Sequence, residues 1–291
     1  MLDPDIDSLI PHVPFSRRTF LSAALGTGFA AAVLPVSAQT IHTDSAGLEA
    51  GEIAFRSMGT LVPAYRAQPA GKRRLPVIIV IHEIFGVHEH IADVCRRFAK
   101  LGYLAIAPDL FSRFGNASAY SSMQQLNDEI VSKVPDETVM ADLDAAIEWA
   151  GENGGDLQRV GVNGFCWGGR QAWLFAEHNP RVKATVAWYG RVAGPHAATT
   201  PANPIDRVAD LHAPVLGLYG RQDTGIPQDT LEQMKALIAT QAPPAARGSD
   251  FVVYDDAGHA FFADYRPSYR KADAEDGWRR ALAWFKEHGV S

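Results

Sequence analysis

The segment covering residues 159–169 constrains the fold of this chain more than any other. It contains a short β-branched stretch, then a Gly-x-Cys-x-Gly turn centred on Cys166, then a helical pattern from about Trp167 to His178. Gly164 and Gly168 carry no Cβ, so a strand and a helix can approach closely around a strained central residue. The N-terminus of that helix favours an anion. The pattern therefore predicts a reactive thiolate on a strand–turn–helix unit, although an inert buried cysteine fits the isolated motif as well.

Predicted strands and helices alternate along the rest of the chain. Pro76–Ile81 is an uninterrupted apolar run, typical of a strand buried on both faces of a parallel sheet. Short strands are expected near residues 53–55 and 62–66, and a short helix within a loop over residues 112–135. Further strands are predicted at Tyr103–Ala107, Val182–Trp188, Pro214–Tyr219 and Phe251–Tyr254, and helices at His88–Leu101, Glu137–Asn153, Asp229–Thr240 and Tyr269–His288. This alternation predicts an α/β fold, with a mostly parallel central sheet and helices on both faces.

The N-terminal residues have the features of an export signal. Arg17 and Arg18 precede a mildly apolar run rich in Ala and Gly, and a small-x-small site ends at Ala38. This pattern resembles a twin-arginine signal, although a disordered leader with a chance pair of arginines is the alternative. We expect residues 1–38 to be the signal and residues 39–291 to form one periplasmic domain.

Composition limits the partners of the chain. The net charge is −6 and no basic cluster is present, which argues against nucleic acid. Two cysteines provide no disulfide framework, and Cys95 lies on the apolar face of a predicted helix. Outside the leader no apolar run is long enough for a membrane span. We expect a monomer or a dimer, with no membrane association after the signal is removed.

Two polar residues complete a candidate catalytic group with Cys166. A thiol nucleophile needs a base and a third group that orients the base. Asp223 and His259 follow the predicted strands that end at Tyr219 and Tyr254. Each alone could be a turn aspartate or a surface histidine. The order nucleophile, acid, histidine, each after a strand, is that of α/β-hydrolases, and it predicts Cys166 as nucleophile, His259 as base and Asp223 as the orienting acid.

A cluster of histidines and carboxylates raises the question of a metal site: His82, Glu83, His88, Glu89 and His90. The segment is not a His-Glu-x-x-His motif, because Gly86 stands where the second ligand would be. No further ligand set is visible. We therefore expect no metal and no other cofactor.

From about Glu52 to the C-terminus, the chain resembles the dienelactone hydrolase family of cysteine-dependent α/β-hydrolases, which are carboxymethylenebutenolidase-like enzymes. The matching motifs are His82-Glu83-Ile84-Phe85-Gly86 with His90-Ile91, Pro108-Asp109-Leu110, Gly164-Phe165-Cys166-Trp167-Gly168-Gly169, Trp188-Tyr189-Gly190 and Gly258-His259-Ala260-Phe261. The resemblance implies the same nucleophile, base and acid. It also implies that Glu83 contacts the resting thiol and helps to generate the thiolate, and that the backbone N–H groups of Ile84 and Trp167 form the oxyanion hole.

The chain departs from this family where the substrate is held. Family enzymes bind the carboxylate of a lactone with arginines, and Arg113 matches one of them. The second is missing, because Ala263 stands near its place and Arg266 lies three residues further on. Tyr189 is expected to line the substrate pocket.

Taken together, these features predict an exported hydrolase that cleaves a small lactone or carboxylic ester. A non-catalytic binding protein on the same fold is the alternative, and it leaves the retention of all three catalytic residues unexplained. A thiol-based redox role for Cys166 is less favoured, because the chain has no Cys-x-x-Cys motif.

Overall fold

The computed structural model describes residues 40–120 and 122–291. The predicted export signal, with Arg17, Arg18 and the cleavage site at Ala38, lies outside the described residues. None of the helices within the described ranges is both long enough and apolar enough to span a membrane.

A single eight-stranded sheet organises the described residues, with the strand order β1-β2-β4-β3-β5-β6-β7-β8. The strands are β1 (Leu48–Ser57), β2 (Thr60–Pro69), β3 (Leu75–Ile81), β4 (Leu104–Pro108), β5 (Gly155–Phe165), β6 (Val182–Trp188), β7 (Val215–Gly220) and β8 (Asp250–Tyr254). β2 pairs antiparallel with β1 and with β4, and all other pairs are parallel. The predicted α/β class with a mostly parallel sheet is therefore confirmed.

Helices follow most of the parallel strands and cover the sheet. They are α1 (Glu89–Lys100), α2 (Met123–Glu129), α3 (Asp136–Glu152), α4 (Trp167–His178), α5 (Gln228–Gln241) and α6 (Lys271–Glu287). All seven residues of β3 are buried, so the centre of the sheet is covered on both faces. The predicted helix within residues 112–135 is α2, flanked by short 3-10 turns at Ala117–Ala119 and Val131–Lys133.

Two parts of the sheet are longer than the sequence predicted. β5 begins at Gly155, but Asp156, Gln158 and Arg159 are polar, so the start of the strand shows no apolar pattern. The register with β3 shifts beside these residues. β1 and β2 form a hairpin of two ten-residue strands whose two-residue turn, Met58-Gly59, has positive φ at both positions. That turn type matches the right-handed twist of the two strands.

The parallel strands place the candidate residues at one edge of the sheet. Glu83 follows β3, Cys166 follows β5, Tyr189 follows β6, Asp223 follows β7 and His259 follows β8. In open parallel sheets, ligands bind outside the carboxyl ends of the strands. Residues far apart in the chain are thus brought to a common edge.

Candidate active site

Cys166 occupies a strained backbone position between β5 and α4. Its φ is 56° and its ψ is −117°, a conformation that costs a non-glycine residue roughly 1–3 kcal/mol. A Cβ on Gly164 would lie 2.1 Å from the carbonyl oxygen of Gly168, and a Cβ on Gly168 would lie 2.4 Å from that of His82. Both positions therefore require glycine, as the sequence predicted, and the close crossing of strand and helix fixes the cysteine.

The three predicted catalytic residues form one hydrogen-bonded array. His259 Nε2 lies 3.1 Å from Cys166 Sγ, and His259 Nδ1 lies 2.6 Å from Asp223 Oδ2. Asp223 Oδ1 accepts a further hydrogen bond from the N–H of Gly225, at 2.9 Å. Because a carboxylate can only accept, Nδ1 of His259 carries a proton, and Nε2 faces the sulfur. This is the geometry of a nucleophile, a base and an orienting acid.

The charge state of His259 depends on its two partners. Burial alone would lower the pKa of the imidazole, but the charge of Cys166 and the hydrogen bond with Asp223 outweigh it and raise that pKa above its ordinary value. A raised pKa favours the imidazolium, which is the form of the ring that can give a proton to a neighbouring group.

Glu83 is hydrogen-bonded to a tyrosine. Its Oε2 accepts a hydrogen bond of 2.5 Å from the hydroxyl of Tyr265, and its Oε1 has no hydrogen-bond partner. No hydrogen bond joins Glu83 to Cys166 in the described parts of the chain. A phenol O–H is a stronger donor than a thiol S–H, which favours the tyrosine as partner, and the implied contact of Glu83 with the thiol stays a prediction. The catalytic role of Glu83 stays a prediction.

The two N–H groups predicted for the oxyanion hole belong to Trp167, next to Cys166 in the chain, and to Ile84, after β3. Trp167 is the first residue of α4, so its N–H has no acceptor within the helix. Ile84 lies in the turn after β3, and the side chain of His82 forms hydrogen bonds that stabilise this turn. His82 Nε2 accepts from the N–H of Leu110 at 3.1 Å, and His82 Nδ1 lies 2.6 Å from the carbonyl oxygen of Glu83. The oxyanion role of both N–H groups stays a prediction.

Tyr189 lies against His259, the predicted base. Its ring meets the His259 ring edge-on, with centroids 5.1 Å apart, and its φ is 38°. Burial, and next the charges of Glu83 and Cys166, raise the pKa of its phenol well above the ordinary value. The hydroxyl therefore stays protonated near both groups. It is buried and has no partner among the described residues, and its predicted role in binding substrate stays a prediction.

Arg113 is engaged elsewhere. Its guanidinium donates to Asp142 Oδ1 at 2.6 Å and to the carbonyl oxygen of Ser57 at 2.9 Å, with Nε 3.3 Å from Asp142 Oδ2. Asp142 is 1% exposed, so the arginine neutralises a buried carboxylate. These contacts favour a structural role, and the predicted substrate contact of Arg113 has no support from them.

Within the histidine cluster near the site, His82 is held by protein contacts. Both ring nitrogens of His82 have partners, and burial lowers its pKa to about 4, so the ring is neutral. Elsewhere in the described ranges, ligand atoms of His42, Glu89 and Asp93 lie within 4.8 Å of one another. Arg96 and Arg97 bind these two carboxylates, which makes the group an ion-pair network.

Sequence reasoning missed Tyr265. It lies in the loop between β8 and α6, six positions beyond His259, and it is 2% exposed. Its partner Glu83 is 182 residues away in the chain. Neither spacing nor periodicity connects the two residues.

The chain is similar to known proteins in both sequence and structure. The model of the Dienelactone hydrolase family matches residues 62–289. A relative from Methylorubrum extorquens, named "Putative carboxymethylenebutenolidase", is 55% identical over 99% of both chains. One of the same name from Escherichia coli K12 is 50% identical over 90% of this chain and 96% of its own. The crystal structure of "Putative Dienelactone Hydrolase from Klebsiella pneumoniae subsp. pneumoniae MGH 78578" is 52% identical, with a TM-score of 0.79 over 82% of this chain and 99% of that chain.

Iodoacetamide should alkylate Cys166 much faster than Cys95, with hydrolysis lost in step. Cys95 is 0% exposed and burial raises its pKa, whereas Cys166 is partly exposed beside a base. Peptide mapping during inactivation measures both rates. A Cys95→Ala variant is the control and should be inactivated at the wild-type rate. Equal labelling of both thiols with activity intact would contradict the assignment.

Proposed function

The chain belongs to the dienelactone hydrolase family, and on this premise we propose that it hydrolyses a small lactone or carboxylic ester through Cys166, His259 and Asp223. The observation behind the proposal is the continuous array from Asp223 Oδ2 through His259 to Cys166 Sγ, at 2.6 and 3.1 Å. A binding protein without catalysis would not need a strained cysteine in contact with an oriented base.

The chemistry follows from this array. The Cys166 thiolate attacks the carbonyl carbon, a C–S bond forms, and the carbonyl electrons move to oxygen. The N–H groups of Ile84 and Trp167 are the proposed donors to that oxyanion. When the carbonyl reforms, the C–O bond of the leaving group breaks, and the His259 imidazolium gives its proton to the leaving oxygen.

Deacylation uses the same residues in reverse. Neutral His259 takes a proton from water, and the hydroxide attacks the thioester carbonyl. The C–S bond then breaks, which releases the carboxylic acid and restores the thiolate beside the imidazolium. Asp223 holds the imidazole in the required tautomer throughout.

The contacts of Arg113 bear on the kind of substrate. A substrate carboxylate is best held by a cation with free donors, and a buried carboxylate without a partner costs several kcal/mol. Arg113 is bound to Asp142, and the second family arginine is replaced by Ala263. Arg266 is near the site, with its guanidinium carbon 5.5 Å from the ring centre of Phe85. We therefore propose that neutral esters and lactones compete well with carboxylated lactones.

A substrate comparison tests the activity and this preference together. We expect the purified mature chain to hydrolyse both a carboxylated lactone and its methyl ester. One missing charge-assisted contact of about 1.5–3 kcal/mol should reduce the preference for the acid roughly ten- to hundredfold relative to the family pattern. In Arg113→Ala, the ratio of the two kcat/KM values should be unchanged while Tm falls. Arg170→Ala, which removes a similar pair with Asp136, is the control for lost stability. A preference for the acid of a thousandfold or more would contradict the proposal, and its loss in Arg113→Ala would show that Arg113 binds the carboxylate. No hydrolysis of either compound would contradict the activity.

We also propose that the protein is exported by the twin-arginine route and acts in the periplasm, because the paired arginines, the mild apolar run and the small-x-small site occur in the right order. The signal would be residues 1–38.

Replacing Arg17 and Arg18 with lysines should leave the precursor in the cytoplasm of a bacterial host. Fractionation with immunoblotting measures location and size together. The pair Arg73-Arg74, exposed in the turn between β2 and β3, is the matched control, and its replacement by lysines should not affect export. Mature-size protein in the periplasm from the Arg17/Arg18 variant would rule out this route.

A further inference from the structure

His82 is a buried histidine that contacts both residues whose N–H groups we propose as donors to the oxyanion. It directly follows β3 and is 0% exposed. Its Nδ1 lies 2.6 Å from the carbonyl oxygen of Glu83, in the peptide unit that also carries the Ile84 N–H. Its ring stacks on the Trp167 ring, with centroids 5.6 Å apart and an interplanar angle of 16°. One side chain thus connects the turn after β3 with the first residue of α4.

The contact with Glu83 bears directly on the direction of the Ile84 N–H. A peptide unit is planar, and no cis peptide bond occurs in the described residues, so its C=O and N–H point in opposite directions. A donor that holds the Glu83 oxygen therefore fixes the line along which the Ile84 N–H points. The N–H of Gly86 reaches the same oxygen at 3.3 Å, so His82 is the closer donor. Within residues 40–120 and 122–291 the Ile84 N–H makes no hydrogen bond, which leaves it able to donate to a substrate.

The tautomer of His82 follows from its second partner. The N–H of Leu110 donates to Nε2 at 3.1 Å, so Nε2 is an acceptor and the neutral ring has its hydrogen on Nδ1. Burial lowers the pKa of His82 to about 4, so the ring is neutral at neutral pH. Phe111 packs edge-on against the ring, with centroids 4.8 Å apart. The segment after β4 therefore holds the ring with Nδ1–H directed at the Glu83 oxygen.

We propose that His82 is a positioning residue: its Nδ1–H holds the Glu83 carbonyl and thereby orients the Ile84 N–H toward the oxyanion that forms when Cys166 attacks the substrate carbonyl. Both ring nitrogens are engaged in hydrogen bonds, so the ring exchanges no proton with the substrate. This role rests on the proposed hydrolysis through Cys166. It concerns only the stabilisation of the oxyanion, so it can fail while that proposal stands, and a wild-type chain that hydrolyses no ester would contradict both.

A pair of substrates that differ in one atom isolates the oxyanion. An aryl ester and the matching thionoester have the same leaving phenol, but the attacked group is C=O in the first and C=S in the second. Sulfur is a weak hydrogen-bond acceptor, so a correctly oriented N–H favours the ester over the thionoester. The ratio of the two kcat/KM values, which report acylation, therefore measures the orientation of the donors. A change at the thiolate or at the base alters both values together and leaves the ratio unchanged.

His82→Leu removes both ring nitrogens and keeps a similar side-chain volume. Loss of one oxyanion donor typically lowers kcat about 10²–10³-fold, and a donor that is present but misdirected should lose part of this. We therefore expect kcat/KM for the ester to fall roughly ten- to hundredfold, with little change for the thionoester, so that the ratio falls about tenfold or more. An unchanged ratio would overturn the proposal.

His82→Asn is the conservative variant. Its amide nitrogen can take the place of Nδ1 and donate to the Glu83 oxygen, whereas the side chain is too short to reach the N–H of Leu110. Both variants should have a lower Tm, because both lose the bond with Leu110. His82→Asn should nevertheless restore the ratio to near the wild-type value. Equal ratios in the two variants would show that the donor to Glu83 does not matter and would overturn the proposal.

Alkylation of Cys166 by iodoacetamide separates the orientation of the oxyanion donor from general damage to the site. The reaction displaces iodide at a saturated carbon and forms no oxyanion, so His82→Leu should be alkylated at the wild-type rate. A loss as large as the loss of ester hydrolysis would overturn the proposal. Tyr103→Phe is the matched control, because the Tyr103 hydroxyl donates to the carbonyl oxygen of Val290 at 3.1 Å, at the other end of β4. It should leave the ratio unchanged.

The tautomer of His82 provides a test in the wild-type protein, which does not depend on the folding of any variant. In nitrogen-15 NMR of histidine-labelled protein, the signal that is absent from His82→Asn belongs to His82. At neutral pH its hydrogen should be on Nδ1 and its ring should be neutral. A hydrogen on Nε2 alone, or an imidazolium at neutral pH, would overturn the proposal.

Discussion

The close crossing of β5 and α4 at Gly164 and Gly168 is the constraint on which the rest of the site depends. Only two residues without Cβ atoms permit it, since a methyl group on Gly164 would meet the carbonyl oxygen of Gly168 at 2.1 Å. The crossing forces Cys166 into positive φ and sets its sulfur 3.1 Å from His259. The parallel sheet is buried by packing on both faces. The free energy of this packing compensates for the strained backbone of Cys166.

Two carboxylates that follow strands at this edge of the sheet, Asp223 and Glu83, have different hydrogen-bond partners. Asp223 is bound to His259 and belongs to the hydrogen-bonded array of the proposed catalytic residues. Glu83 is bound to a phenol and lies outside that array. The two carboxylates thus differ in their hydrogen-bond donor, which is an imidazole N–H for Asp223 and a phenol O–H for Glu83. The contacts with Asp223 and Cys166 also explain why the pKa of His259 is raised despite its burial.

Much of this arrangement was predictable from the sequence, because it depends on local patterns and on order along the chain. The predicted helix after Cys166 has the observed bounds, Trp167–His178, since a tight turn and an amphipathic run specify it. Asp223 and His259 could be placed because each follows a strand, and parallel strands end at one edge. Long-range side-chain pairs could not be predicted. The contacts between Glu83 and Tyr265 and between Arg113 and Asp142 depend on how the loops pack. No spacing in the sequence indicates these contacts.

The central claim, that Cys166 carries the acyl group during turnover, is tested most directly by trapping the intermediate. The enzyme would be mixed with excess ester, quenched in acid during steady-state turnover, and examined by peptide mass spectrometry. The account predicts a mass increase equal to the acyl part of the ester on the peptide that contains Cys166. The adduct should be labile to hydroxylamine, as a thioester is, and absent when the substrate is omitted. An acyl group on a different residue, or turnover with no adduct on Cys166 under conditions that make deacylation slow, would contradict it.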